Sequence, residues 1–204
     1  LTGVYLVEIE RVDTVVAPVA PDRRLDGDDH LVFVGDVGNV LDLLGDLERA
    51  QKSFARALEL DATSALANYN LGAVLERLDK DEDAERYYEA ALSDEAGPML
   101  VEAVAALGGL LRRHSRLDDA LEVYEEYLAE DPLDVEILVE HGICLSDLEQ
   151  FDEALDRFAS ALSLDRNHGG AWYNQAITLY RLGRFEEAVK SMEHARLAEP
   201  GNPL

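Results

Sequence analysis

Residue types capable of chemistry are present in this chain, but their spacing does not assemble a reactive site. Five histidines (His30, His114, His141, His168, His194) are scattered and show no i, i+4 pairing with one another, so no metal site is expected. Carboxylates crowd "DKDEDAE" (79–85) and "LDDALEVYEE" (117–126). Acid–base work needs a cleft that perturbs their pKa, and these segments read as inter-helix turns and solvated outer faces. No phosphate-cradling Gly loop, no Gly-x-Ser-x-Gly elbow and no Ser/His/Asp set on a plausible scaffold occurs. The paired glycines of "LGGLL" (107–111) suit close helix packing better than a ligand loop. Cys144, the single cysteine, lies in an apolar helical run, where a reduced and buried thiol is expected. What remains is recognition, with neither a catalytic residue nor a cofactor expected.

The elements that would do the recognising are set by an internal period. Gly38, Gly72, Gly108, Gly142 and Ala176 share a register with Ala50, Ala84, Ala120, Ala154 and Ala188, in steps of 34, 36, 34 and 34 residues. The same frame aligns Leu41, Leu75, Leu111, Leu145 and Leu179, then Phe54, Tyr88, Tyr124, Phe158 and Met192. Small residues follow at Ala57, Ala91, Ala161 and Ala195, a column broken by Tyr127. Small side chains let packed elements approach closely, so the Gly and Ala columns are expected to be packing positions, with the large residues of the other columns filling the space left.

Formal net charge is −25, and the cations are three lysines (Lys52, Lys80, Lys190) against fifteen arginines. Such acidity repels nucleic acid and anionic membrane surfaces, so neither is an expected partner. Adaptation to a high-salt cytoplasm, where carboxylates hold hydration, is favoured over capture of a basic ligand. No run of eighteen apolar residues and no basic-then-apolar N-terminal segment occurs, so a cytoplasmic chain is expected. The first residue is Leu1 rather than Met, which leaves a fragment or processed product open.

With several columns recurring together, and with "AWYNQAITLYRLGRFEEAVKSMEHARLAEP" (171–200) running almost unbroken through the pattern, the chain resembles the tetratricopeptide repeat (TPR) family. The resemblance covers residues 31–202 as five repeats: 31–64, 65–100, 101–134, 135–168 and 169–202. It implies an all-α fold, a right-handed superhelix of antiparallel helix pairs whose contacts are local. It also implies that the Gly at repeat position 8 faces the Ala at position 20, with large residues at positions 4, 11 and 24 around them. Two extra residues near "DEAGPML" point to a longer turn there. Position 7, usually large and apolar in the family, holds His141 and Gln175, expected to bond a neighbouring helix or to be partly exposed. Position 32, often the Pro that stops the second helix, is Pro132 and Pro200 but Ala62, Ala96 and Arg166 elsewhere, so some helix ends are expected to fray or run on.

The family's first helices line a concave groove through repeat positions 2, 5, 9, 12 and 13. Carried over, these positions place Asn39, Tyr69, Arg77, Arg112, Arg113, Tyr173, Tyr180 and Arg181 in the groove, with Asn70 and Asn174 at neighbouring position 6. Amides would pair with a peptide backbone, tyrosines would cover apolar side chains and arginines would meet carboxylates. Across the 25 groove positions, five acids face four arginines, so the chain's acidity is not concentrated there. One family subclass grips a C-terminal carboxylate with two Asn and several cations; Asn39 and Asn70 match its amides, but Gly35, Glu102 and Ala106 stand where the cations should be. Binding of chaperone tails is therefore not expected. The resemblance also implies a polar capping helix after the last repeat; "PGNPL" follows instead, and a second copy or further sequence is expected to cover that repeat.

Residues 1–36, "LTGVYLVEIERVDTVVAPVAPDRRLDGDDHLVFVGD", follow a different grammar: alternating and β-branched runs separated by turn residues predict three short strands. This β-rich N-terminal extension resembles the latter part of a TrkA C-terminal (RCK_C) domain of the anion-permease type, over residues 1–44, with "LDGDDHLVFVGD" as its loop and last strand. The domain's opening strand and helix are not matched, which argues against ligand sensing. An extended segment is expected through about Val34, followed by a shortened first helix. The resemblances together imply a non-catalytic protein-interaction scaffold for a peptide or partner protein. The alternative is the soluble regulatory portion of a membrane transporter.

Overall fold

A computed structural model of the chain describes residues 5–11, 14–16, 30–34, 47–93 and 101–198. They fall in two compact units, Leu1–Ala103 and Val104–Leu204. Among the described residues the fold is carried by helices: α1 (Leu47–Leu60), α2 (Ala65–Arg77), α3 (Asp81–Leu92), α4 (Val101–Arg113), α5 (Leu117–Glu130), α6 (Val135–Asp147), α7 (Phe151–Leu164), α8 (Gly169–Arg181) and α9 (Phe185–Ala198). Ahead of them, β1 (Tyr5–Arg11), β2 (Thr14–Val16) and β3 (His30–Val34) pair antiparallel in the order β2-β1-β3, with a register shift between Leu6 and Glu8. The first repeat's first helix, the "DEAGPML" turn and the "PGNPL" end lie outside the described residues.

Helical spacing explains the buried stripes. In α1, Ala50, Phe54 and Ala57 recur at i, i+4 and i+7 and are at most 4% exposed, and Ala84, Tyr88 and Ala91 repeat the stripe in α3. In the second unit α5 buries Ala120, Tyr124 and Tyr127, and α7 buries Ala154, Phe158 and Ala161. Tyr127, the residue out of column, turns its hydroxyl outward to donate to Asp134 Oδ2 at 3.2 Å. The glycine column is explained by a different contact from the one expected. A Cβ at Gly72 or Gly142 would fall 2.7 Å from the ring of Tyr88 or Phe158, and at Gly108 it would strike Tyr124. The glycines thus make room for the aromatic of position 24, with the Ala84 carbonyl 3.2 Å away as a secondary contact at Gly72.

Helix ends are set by local chemistry. Asp79, Ser115, Glu149 and Gly183 adopt positive φ (56°, 60°, 61° and 81°), one per helix pair. The following N–H groups of Lys80, Arg116, Gln150 and Arg184 return to the carbonyls of Leu75, Leu111, Leu145 and Leu179 at 2.8–2.9 Å, a Schellman closure. The expected fraying at non-proline helix ends is not found among the described residues. α1, α5 and α7 all stop before an aspartate, and Asp61, Asp131 and Asp165 each accept the backbone N–H two residues on, from Thr63, Leu133 and Asn167. Asp131 precedes a proline whereas Asp61 and Asp165 do not, so the aspartate does the stopping. Ser64, Asp134 and His168 then cap α2, α6 and α8 by accepting the N–H groups of Ala67, Ile137 and Ala171.

Candidate functional site

In the first unit, Tyr69 is half-buried on α2 and tilts against Tyr88, with ring centroids 6.0 Å apart. Burial first, then the nearby Glu102 and Glu76, raises its phenol above the ordinary value, so it is a neutral hydrogen-bonding surface at physiological pH. Tyr88 donates to Glu76 Oε2 at 2.8 Å, which fixes that carboxylate beside Tyr69. Asn70 is half-buried and Arg77 exposed on the same helix. Asn39 lies outside the described residues.

The second unit shows more of the candidate surface. Tyr173, Ile177 and Tyr180 recur at i, i+4 and i+7 on α8 and are 38%, 37% and 66% exposed, which makes one apolar stripe in water. Tyr180 meets Phe185 edge to face, with centroids 5.4 Å apart. Asn174 donates its amide to Gly170 within the same helix at 2.8 Å.

Arginines here tie helices together. Arg112 Nη1 on α4 donates to Asp147 Oδ2 at 3.2 Å, and Arg181 Nη1 on α8 lies 3.6 Å from Asp147 Oδ1. Arg181 also donates to the carbonyl of Ser146 at 2.8 Å, at the C-terminal end of α6 where carbonyls lack helical partners, and its guanidinium lies over the Phe151 ring at 5.1 Å. Asp147 therefore sits between two guanidiniums taken from the helices on either side. Arg113 is exposed on α4.

Beneath this surface lie polar atoms without partners. The Tyr124 hydroxyl, Arg112 Nε and both ring nitrogens of His141 are buried and unbonded. The expectation that His141 bonds a neighbour or reaches water is corrected: it is 2% exposed, and Glu125 Oε1, at 3.7 Å, stands beyond hydrogen-bond reach. Burial first and Arg157 second lower its pKa to about 4, so the ring is neutral. Gln175 fits the expectation, accepting from Ser191 of α9 at 2.8 Å. Burial is also the main reason that Glu140 rises above the ordinary carboxylate value and that the Cys144 thiol rises to about 11. Cys144 is thus a protonated, inert thiol near the Leu117 carbonyl at 3.4 Å. Among the described residues no three His, Cys, Asp or Glu side chains converge as metal ligands do, and no helix is long and apolar enough to cross a membrane.

Helix pairs closed by Schellman turns, with aromatics packed over a glycine column, agree with family models described as tetratricopeptide repeat, which match residues 38–99, 80–135 and 145–204. The chain belongs to the tetratricopeptide repeat family. Among curated relatives, the human protein O-mannosyl-transferase TMTC3 is 27% identical over 168 residues, 76% of this chain and 18% of the relative. The Petunia hybrida probable UDP-N-acetylglucosamine--peptide N-acetylglucosaminyltransferase SPINDLY is 34% identical over 91 residues, 45% of this chain and 10% of the relative. The chain therefore spans less than a fifth of either relative. Among solved structures, YrrB, described as a TPR protein with an unusual peptide-binding site, superposes with a TM-score of 0.63 at 28% identity over 82% of this chain and 85% of its own. MamA superposes at 0.68 with 18% identity over 81% and 95%, a likeness of fold.

His168 was absent from the candidate set and serves structure: its Nδ1 caps α8 while its Nε2 lies 3.1 Å from Glu136 Oε1. Its place at the end of a repeat, where Ser64 and Asp134 cap their helices, is the signal that could have found it.

Proposed function

We propose that this TPR chain is a non-catalytic interaction scaffold, organised as the five repeats 31–64, 65–100, 101–134, 135–168 and 169–202, that binds an extended peptide segment of a partner protein. The observation that carries the reading is the stripe of Tyr173, Ile177 and Tyr180, where aromatic and branched side chains stand in water on one helix face. Tyrosine suits such a role because it offers large contact area at small entropic cost and a hydroxyl for the peptide backbone. Arg181 lies at the end of the stripe, held by Ser146 and Asp147, and orders the rim. The peptide favoured by these contacts carries apolar side chains at alternate positions, with a carboxylate toward the exposed Arg113. A likeness to YrrB, whose description names a peptide-binding site, supports the same class of ligand.

The test is selection from a displayed peptide library, followed by titration of the selected peptide into Tyr173→Ala, Tyr180→Ala and Arg113→Ala variants. Removing either tyrosine should weaken binding about tenfold or more, the loss expected of an aromatic contact at the centre of an interface. Unchanged affinity in both tyrosine variants would reject the stripe as the site.

A second reading makes residues 1–44 a remnant of an RCK_C domain and the chain the regulatory portion of a transporter, with the repeats recruiting a partner. The antiparallel pairing of Tyr5–Arg11 with His30–Val34 supports only the β-strand character that this reading requires. Membrane-spanning segments encoded upstream of Leu1 are its test, and their absence from the gene would end it.

A further inference from the structure

Away from the tyrosine stripe, α7, α8 and α9 enclose a groove of about 480 Å³ within the second unit. Its floor is Trp172, Gln175 and Leu179 of α8, a helix face turned well away from Tyr173, Ile177 and Tyr180. Trp172 is held in place: its indole N–H donates to the Arg166 carbonyl at 2.9 Å, and the His194 ring stacks on it at 4.4 Å. Gln175 is occupied by Ser191. The floor is therefore an aromatic and an aliphatic side chain beside an amide that is already bonded.

The walls differ in charge. On α7, Asp152 and Asp156 line the groove on either side of Leu155, one turn apart. Carboxylates at i, i+4 lie roughly 5–6 Å apart and repel each other, and neither forms an ion pair among the described residues. On α9, Arg184 is held in a two-point bond by Glu187, at 2.7 and 2.6 Å, and its charge also acts on Asp152. The charge of Lys190 acts on the same Glu187. The groove thus presents Asp156, and Asp152 whose charge is shared at a distance with Arg184, across an aromatic floor from a wall whose own carboxylate, Glu187, is already bonded.

We infer that this groove is a second binding site, which takes the arginine side chain of a partner protein. A guanidinium spans two carboxylates with its planar fork, lies against the edge of an aromatic stack such as that of Trp172 with His194, and rests its methylene stem on apolar surface. Asp152 with Asp156, Trp172, and Leu155 with Leu179 supply those three contacts in that order. An ammonium would meet one carboxylate at a time, and an anion would face both. The chain's net charge of −25 draws any basic segment toward it but selects no place on the surface, so it is the floor that localises the site.

Trp172 is the single tryptophan of the chain, so intrinsic fluorescence reports this groove directly. The probe is the pentapeptide acetyl-Gly-Gly-Arg-Gly-Gly-amide, against its citrulline twin, which keeps the shape and loses the charge. Titration is run at the lowest salt that preserves helical circular dichroism. The arginine peptide should change the emission saturably, and the citrulline peptide should bind about tenfold more weakly. Asp152→Asn with Asp156→Asn should weaken the arginine peptide by about the same factor, whereas Glu122→Gln with Glu126→Gln on α5 removes equal charge elsewhere and should not. Lys190→Ala leaves α7 untouched and should tighten binding. Equal affinity for the two peptides, equal loss in both charge variants, or weaker binding by Lys190→Ala would each overturn the assignment. Tyr173→Ala and Tyr180→Ala should leave the titration unchanged; if they abolish it, the peptide occupies the tyrosine stripe and this second site does not exist.

Discussion

His141 and Gly142 are adjacent and opposite in legibility. Gly142 belongs to a column that the repeat period reveals, and the Phe158 ring at 2.7 Å from its Cβ position is the physical reason. His141 stood out in the sequence as a polar residue in an apolar column, but a column cannot say whether a neighbouring helix supplies a partner. Among the described residues none does: both ring nitrogens are buried unbonded, and burial holds the pKa near 4. In the unfolded chain the ring titrates near 6.5. Above that pH both states are neutral and stability does not depend on this residue's protonation. Between 6.5 and 4 the unfolded state binds a proton that the folded state refuses, so stability falls as pH falls, by up to roughly 3 kcal/mol. His141→Leu should remove that dependence and add about 1–2 kcal/mol at pH 7, because it deletes two unsatisfied buried nitrogens. Urea unfolding of both proteins at pH 7 and pH 5 tests this, and parallel losses on acidification would refute it.

Helix placement is legible because the apolar columns repeat, whereas helix termination leaves no reliable mark in the proline column. The stop is made by Asp61, Asp131 and Asp165, short side chains that accept a backbone N–H two residues on. The turn inside each helix pair carries a second local signal. Gly183 adopts its left-handed conformation freely, while Asp79, Ser115 and Glu149 adopt the same region at a steric cost of about 1–2 kcal/mol. Glycine removes that cost but loses roughly 0.5–1 kcal/mol of unfolded-state entropy. Glu149→Gly should therefore stabilise by about 0.5–1 kcal/mol, read as a rise of a few degrees in Tm. A lower Tm would mean that Glu149 makes a contact worth more than its strain. The candidate site was legible only as a helix face: the frame placed Tyr173 and Tyr180 together, but the bonds that hold Arg112 and Arg181 to Asp147 join different helices and leave no mark in a linear pattern.

For the molecule as a whole, charge and the last repeat pull in opposite directions. Leu121 and Leu128 of α5 pack against the core of the following repeat, and Phe151 of α7 lies under Arg181 of the next one. On α9 the residues in the places of Phe151 and Leu121, Phe185 and Val189, are each 59% exposed, and Arg196 stands in the place of Leu128. A stack of repeats is stable through such contacts, so this face is proposed to receive a second copy of the chain or further sequence beyond the fifth repeat, and the second copy is the case that salt and mass can test. Two copies at −25 each repel over a distance that salt shortens from ~30 Å at 0.01 M to ~3 Å at 1 M. Association should therefore strengthen with salt, opposite to what ion-pair contacts would give. Light scattering across that range should show the mass rising toward that of a dimer, and Phe185→Ser with Val189→Ser should hold it at one chain without loss of helical circular dichroism. A wild-type mass equal to one chain at every salt concentration would rule out self-association through α9, and a dimer that salt dissolves would place the contact on charged surface instead.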